Sequence, residues 1–363
     1  MKKLFVIAFC AFLYLISVQD VSAQIRSRKI KKNNKRISNY RGRKNTFGKE
    51  KRYNYVGVSL NAFNYFGDLA PLPSKLSTDI SFTKPGIGIF YGHRFGPRYS
   101  LRASFTYGTV SGNDYESADP NDDNAKFRYV RNLHFRNRIK ELTVVAVFDL
   151  VKNESSYISR AQITPYVFGG LTVFHHNPQA YVPEDSGFDE AGTWIDLQPL
   201  GTEGQYADLQ PGDVNESIKP YKNIQIAIPL GIGVRYRLNQ VVDISFETGM
   251  RYLFTDYLDD VSQNYVNPSR FTGENADLAR YMSDLSQYPN DPVSGNARDL
   301  SNPEISEIMN NTYEVDGVTK IRGYGSESRD NMRGNSNEKD LYFVSTFKVA
   351  FIIGASFRRA KFR

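Results

Sequence analysis

The chain has 363 residues, a formal net charge of +7, 24 Tyr, 24 Phe and a single cysteine, Cys10. Mean hydropathy is −0.48, and no run of 18 apolar residues follows residue 23, which excludes a membrane-spanning helix there. A polar average with 13% aromatic residues does not exclude a membrane β-barrel, because only every second strand residue faces lipid and averaging hides the apolar wall. In chain order, Lys2 and Lys3 precede an apolar run from Leu4 to Val18, and Val21-Ser22-Ala23 has the small-x-small form of a processing site. Residues 1–23 therefore read as a signal peptide cleaved before Gln24. Cys10 lies inside it, so the mature chain is expected to have no thiol, and with it no disulfide, cysteine metal site or cysteine nucleophile.

Residues 24–52 form a basic arm with thirteen Lys and Arg against one acid, Glu50. So few apolar residues cannot build a core, and the arm reads as disordered on its own. Arg26, Arg28, Lys29, Lys31, Lys32, Lys35, Arg36, Arg41, Arg43 and Lys44 are candidate partner-binding residues. Export argues against nucleic acid. The candidate partners are anionic lipid and an acidic periplasmic protein.

From residue 53 the pattern has period two. Ile224, Ile226, Ile228, Leu230, Ile232, Val234 and Tyr236 share one face, while Gln225, Ala227, Gly231, Gly233 and Arg235 share the other. Residues 242–254 and 341–358 repeat this, with Asp243, Glu247, Arg251 and Lys348 on the polar face. Segments 53–66, 85–95, 99–111, 139–150 and 162–176 bring the count to eight, the even number of a single-chain bacterial barrel. The best segments run 13 to 18 residues, against roughly 5–6 for a soluble strand. Glycines 86, 88, 92, 108, 231, 233 and 249 fall on the polar face, where missing side chains relieve crowding inside a narrow cylinder.

Connections alternate in length. Gly96-Pro97-Arg98, residues 151–161 and Leu238-Asn239-Gln240 are short; 67–84, 112–138, 177–223 and 255–340 are long. Short turns belong to the periplasm and long loops to the exterior, and both chain ends then lie in the periplasm. The expectation is an all-β fold, an eight-stranded antiparallel transmembrane β-barrel over 53–363 with long extracellular loops and a basic N-terminal arm. A three-residue turn at 238–240 would set Arg235 opposite Asp243. Arg102, Glu141, Arg235, Asp243, Glu247, Arg251 and Lys348 face inward and read as a paired network filling a lumen just wide enough for side chains.

Catalytic and cofactor signals are weak. His175 and His176 are adjacent and would point to opposite strand faces, a poor arrangement for a metal pair; His93 and His134 stand alone. No phosphate loop, zinc-protease helix or serine elbow occurs. No catalytic residue, metal ligand or cofactor is assigned. Residues 177–218 hold nine acids and no Lys or Arg, which suits a solvated acidic loop better than a calcium site. Asp256, Asp259 and Asp260 read as turn-capping residues in preference to a cation site. Segments near 275–287 and 303–312 read as short helices in the last loop, capping the barrel or binding a partner.

Several strings go further than the pattern. They are Asn64-Tyr-Phe-Gly-Asp-Leu69, Asn132-Leu-His-Phe-Arg136 running on to Glu141-Leu142, Thr164-Pro-Tyr-Val-Phe168 with Asn177-Pro178, Leu197-Gln-Pro-Leu-Gly-Thr-Glu-Gly-Gln205, Ile228-Pro-Leu-Gly231 and Thr255-Asp-Tyr-Leu-Asp-Asp-Val261. In these the chain resembles the PorG-type outer-membrane proteins of the type IX secretion system, from the first strand past the seventh. The resemblance implies a non-enzymatic outer-membrane protein embedded in lipid. It would associate with the periplasmic ring of a machine that exports large proteins and in some cells supports gliding motility. That ring is made of a lipoprotein and a soluble partner. The basic arm matches no motif of that family, and the terminus Ala360-Lys-Phe-Arg363 departs from the aromatic end usual in barrels, leaving Phe357 or Phe362 to serve. The barrel pattern alone also allows a small channel or lipophilic-solute transporter.

Overall fold

The computed structural model describes residues 47–48, 51–69, 82–123, 125–310, 312–315, 318–321, 332–337 and 339–353. The expected signal peptide, the ten cationic arm residues from Arg26 to Lys44, and the tail with Phe357 and Phe362 lie outside the described residues. Two compact units are delimited, Met1–Glu50 and Lys51–Arg363, and the second contains the fold.

Its strands are β1 (Tyr53–Phe66), β2 (Lys84–Arg94), β3 (Tyr99–Asn113), β4 (His134–Asp149), β5 (Ile163–His175), β6 (Pro178–Tyr181), β7 (Trp194–Asp196), β8 (Ile224–Arg237), β9 (Val242–Leu253), β10 (Thr312–Val315), β11 (Val318–Ile321) and β12 (Leu341–Ile353). Eight of them close on themselves. The order runs β1-β2-β3-β4-β5-β8-β9-β12 and returns to β1, every neighbour antiparallel. Closure leaves no edge to template aggregation, and it pairs the backbone of each wall strand with a neighbour on both sides, a requirement inside hydrocarbon.

The pleat sorts side chains as the alternation predicts. Val58, Leu60, Ile87, Ile89, Leu171, Ile232 and Phe246 are all more than half exposed on the outside, while Glu247, Lys348, Arg102 and Glu141 are buried inside. A soluble sandwich would place the apolar set inward; here it forms an outer belt. Phe95 and Tyr99 stack at the short-turn rim with centroids 6.3 Å apart, an amphipathic position at a membrane border.

Most strand ends lie within one or two residues of the sequence reading, and three features differ more. β4 starts at His134 instead of 139, because pairing continues above the apolar belt. There the pattern inverts: Arg138 and Lys140 point outward while Phe135 and Ile139 point in. Across the turn after β8 the pairing sets Arg237 opposite Asp243 and Arg235 opposite Ser245, with Leu238 N–H bonded to the Val242 carbonyl. The expected Arg235–Asp243 opposition is therefore wrong by one pleat, although both stay inward. The loop between β5 and β8 also contains β6 and β7. β6 pairs with the start of β4, and β7 with β6.

The long-loop end carries a folded cap. It contains α1 (Asp114–Ser117), α2 (Lys126–Arg131), α3 (Ala276–Ser283) and α4 (Pro303–Asn310). One apolar core runs from Phe63, Phe135 and Phe174 in the upper lumen to Leu258, Leu278 and Met282 in the last loop. Ile305 of α4 packs with Tyr129 and Val130 of α2 in a second cluster. Lumen and loops thus share one hydrophobic interior.

Candidate functional site

Three layers occupy the barrel axis. At the short-turn end lies a charge layer. Glu247 on β9 accepts from Arg102 on β3 through both terminal guanidinium nitrogens, from Lys348 on β12, and from the Tyr166 hydroxyl at 2.6 Å. Asp149 holds Arg94 at 2.5 Å and Arg235 at 3.3 Å. Asp243 holds Arg160 at 2.5 Å. Arg160 also donates to the carbonyls of Tyr157, Asn239 and Gln240, tying two short turns across the barrel mouth. Higher up, Glu141 accepts from Arg251 at 2.8 Å and Thr143 at 2.8 Å, with Tyr342 at 3.2 Å. Of the residues singled out from sequence, Arg102, Glu247 and Lys348 come together, as do Glu141 and Arg251. Arg235 and Asp243 take different partners. Arg94, Asp149 and Arg160 were not singled out. Arg94 and Asp149 close their strands, where alternation is hardest to read, and Arg160 lies in a turn with no periodic signal.

Above the charges sits an aromatic layer that the inward glycines make possible. A Cβ on Gly108 would lie 2.2 Å from the Phe63 ring, and one on Gly86 would lie 2.5 Å from it. Gly231 and Gly249 leave the same room for Phe168. Rings and glycines are complementary, and together they fill the cylinder. A cavity of about 20 Å³ remains at the charge layer, room for about one water molecule.

The third layer is the polar floor of the cap, and the family-like strings build it. Tyr65 Oη lies 2.5 Å from Asp259 and 2.7 Å from Asp340. A phenol has one proton to donate, so the second contact needs a proton on a carboxyl. Burial, then the neighbouring charges, holds both carboxyls well above the usual range: Asp340 and Asp68 act on Asp259, and Asp256 foremost on Asp340. Gly67 must be glycine here, because a Cβ would sit 2.0 Å from Tyr65 Oη and 2.1 Å from Asp340. Glu203, fully buried, accepts from the Ser262 and Gln263 amides at 2.8 and 3.0 Å and from Arg333 at 3.2 Å. Burial pushes its carboxyl up to about 7 against that compensation. Gly201 and Gly204 flank it at φ +64° and +90°, a region that favours glycine. Asp260 accepts from Tyr221 at 2.6 Å and from Thr202.

Asp256, Asp259 and Asp260 are thus dispersed. Asp256 accepts from Ser262 at 2.7 Å, and Asp259 caps the Val261 amide at 2.9 Å, the turn role expected of it. Among the described residues no group of three His, Cys, Asp or Glu has metal-binding geometry. His93 contacts Asn54 and His134 accepts from the Tyr181 amide; His176 lies at 3.1 Å from the Lys222 carbonyl.

A family profile described as "Domain of unknown function (DUF6089)" matches residues 45–194. No curated protein matches the sequence. Among solved structures, the chain is similar to Neisserial surface protein A at 9% identity and TM-score 0.31, covering 82% of this chain and 96% of that one. It is similar to OprG of Pseudomonas aeruginosa at 9% and 0.31, with coverage of 85% and 99%. It is also similar to a major outer membrane protein of Thermus thermophilus at 9% and 0.35, with coverage of 82% and 99%. The barrel assignment rests on the strand pairing itself, and the chain is a closed eight-stranded barrel of the outer-membrane kind, plugged along its axis and capped at one end.

Proposed function

We propose that this protein is a non-enzymatic outer-membrane component of the type IX protein secretion machinery, which anchors or associates with the periplasmic ring of that machine. One observation carries the reading. Three of the strings that resemble the PorG-type family meet in one buried assembly: Tyr65, Gly67 and Asp68 from 64–69, Glu203 from 197–205, and Asp256, Asp259 and Asp260 from 255–261. Strings scattered by chance would not share hydrogen bonds. The filled lumen supports a structural role and counts against the alternative of a channel or solute transporter, since a conducting path needs more than the about 20 Å³ left among the charges. The outward belt of Leu60, Ile89, Leu171 and Phe246 suits lipid contact, and outer-membrane lipid is the medium proposed.

In this reading the basic arm from Arg26 to Lys44 and the short turns face the periplasm and meet the ring's lipoprotein and soluble partner. The test is a pull-down from gently solubilised membranes with the full-length protein and with a version lacking residues 26–52. Recovery of ring subunits with the full-length protein is the predicted result. Loss on deletion assigns docking to the arm, and retention assigns it to the turns. Recovery of ring subunits with neither version refutes the proposal.

A further inference from the structure

The cavity in the charge layer is lined by Tyr55, Arg94, Ser100, Arg102, Arg235 and Lys348, among others. Four polar atoms of these residues are buried and have no hydrogen-bond partner among the described residues: Tyr55 Oη, Ser100 Oγ, Arg94 Nε and Arg102 Nε. Each can donate, and the two Nε–H groups can do nothing else. Ser100, Arg94 and Arg102 are at most 5% exposed, so bulk water does not reach them. An orphaned buried donor costs about 1–3 kcal/mol, and four around one cavity call for a common acceptor.

Charge points the same way. Arg94, Arg102, Arg160, Arg235 and Lys348 surround this layer, and the carboxylates paired with them are Asp149, Asp243 and Glu247. The four guanidiniums alone outnumber the three carboxylates, and Lys348 adds to the imbalance whenever it is protonated. Positive charge in excess, shielded from solvent, needs a counter-charge. Arg102 lies 5.4 Å above the Phe168 ring and Arg235 4.9 Å above Tyr166, contacts that ease this excess without cancelling it.

We propose that the lower lumen binds one small monovalent anion of halide size, which accepts hydrogen bonds from Arg94, Arg102, Tyr55 and Ser100. The volume fits one such ion, and a phosphate or a peptide carboxylate is too large for it. The anion is a structural counter-ion that completes the plug, a role independent of the secretion reading.

Two measurements on purified full-length protein test this. In the first, urea unfolding is followed in chloride and in gluconate at equal ionic strength. Gluconate is too large to enter. Each tenfold rise in chloride above its dissociation constant should move the midpoint up by about 0.5–1 M. Ser100→Asp places a tethered carboxylate in the cavity and should abolish the chloride dependence while keeping the high midpoint. Arg235→Gln, which removes one excess cation, should weaken the apparent chloride affinity at least about tenfold. In the second, crystals soaked in bromide are examined by anomalous diffraction. This needs no variant, and one peak between Arg94, Arg102 and Ser100 is expected. Equal midpoints in chloride and gluconate, or a cavity without bromide signal, overturn the proposal and leave water as the acceptor.

Discussion

Replacing Glu247 by Gln tests whether the charges in the lumen are a packed plug or the lining of a wet pore. Glu247 is 2% exposed and serves Arg102, Lys348 and Tyr166 at once. The amide keeps the shape and one acceptor oxygen, but it leaves two buried cations without their counter-charge. Breaking a buried pair from one side costs about 3–5 kcal/mol, and the retained acceptor places this change near about 3 kcal/mol. With a urea slope of roughly 2 kcal/mol per molar, the unfolding midpoint should fall by about 1.5 M. The gel mobility shift between folded and unfolded barrel follows this directly. Adding Lys348→Met should recover part of the loss, because one stranded cation is then removed. A midpoint that moves by less than about 0.3 M, a change of roughly 0.5 kcal/mol, would show that water screens these charges, and the closed-lumen account would fail.

Gly108→Val should destabilise the barrel by about 1–3 kcal/mol in the same assay, because the Phe63 ring that occupies the glycine gap is fully buried and has nowhere to go; an unchanged midpoint would deny the ring-and-glycine packing. Arg333→Met leaves the barrel wall intact but removes the donor to Glu203 and to the Asp260 and Ser283 carbonyls. Limited proteolysis should then cut the loops at least about tenfold faster while barrel mobility on gels is kept, and equal cutting rates would contradict the assigned role of that residue. The cap should also loosen as pH rises. Asp256 is pushed up to about 6 and Glu203 to about 7, chiefly by burial, and Asp259 and Asp340 lie well above the usual range for the same reason. Between the ordinary carboxyl range and these values the folded cap binds more protons than the unfolded chain, so its stability falls as pH rises through that window. His176, lowered by burial to about 4, works the other way, but only below its ordinary 6.5. From pH 6.5 to 8 the carboxyls act alone, and hydrogen-exchange protection of the Val261 and Ser262 amides should decrease. Constant or rising protection would refute this.

The barrel was legible because its signal is repetitive. Each of Ile224, Ile226, Ile232 and Val234 independently reports the same face, and the inward glycines report the crowding opposite them. The signal failed where the solvent on the two faces changes. At Phe135 to Lys140 the strand has left the lipid, so apolar residues turn inward and cations outward, and a reader who follows the lipid belt stops too early. The turn after β8 defeated register reading because the pairing shifts by two residues, which keeps every side chain on its face, so Arg237 and Arg235 are equally good by alternation for the place opposite Asp243. The helices at 276–283 and 303–310 lie within the stretches expected to hold them, since each has a helical apolar stripe. α1 and α2, of four and six residues, are too short to show a period. Inward parity placed Glu247 and Arg102 on the lumen face, but their pairing across 145 residues depends on barrel closure, which no local pattern carries. The aspartates at 256, 259 and 260 show the converse. Their sequence neighbourhood suggested turns, and the distant Tyr65, Tyr221 and Arg333 that bury them could be found only in three dimensions.

Single-channel recording of the purified full-length protein in a planar bilayer shows whether the barrel crosses a membrane as a closed plug. A barrel with a filled lumen inserts with no conductance above the bare bilayer, and Glu247→Gln gives step conductances only where the plug is lost with the fold. Steady, reproducible conductance steps from the wild-type protein would contradict the filled lumen and bring the channel reading forward.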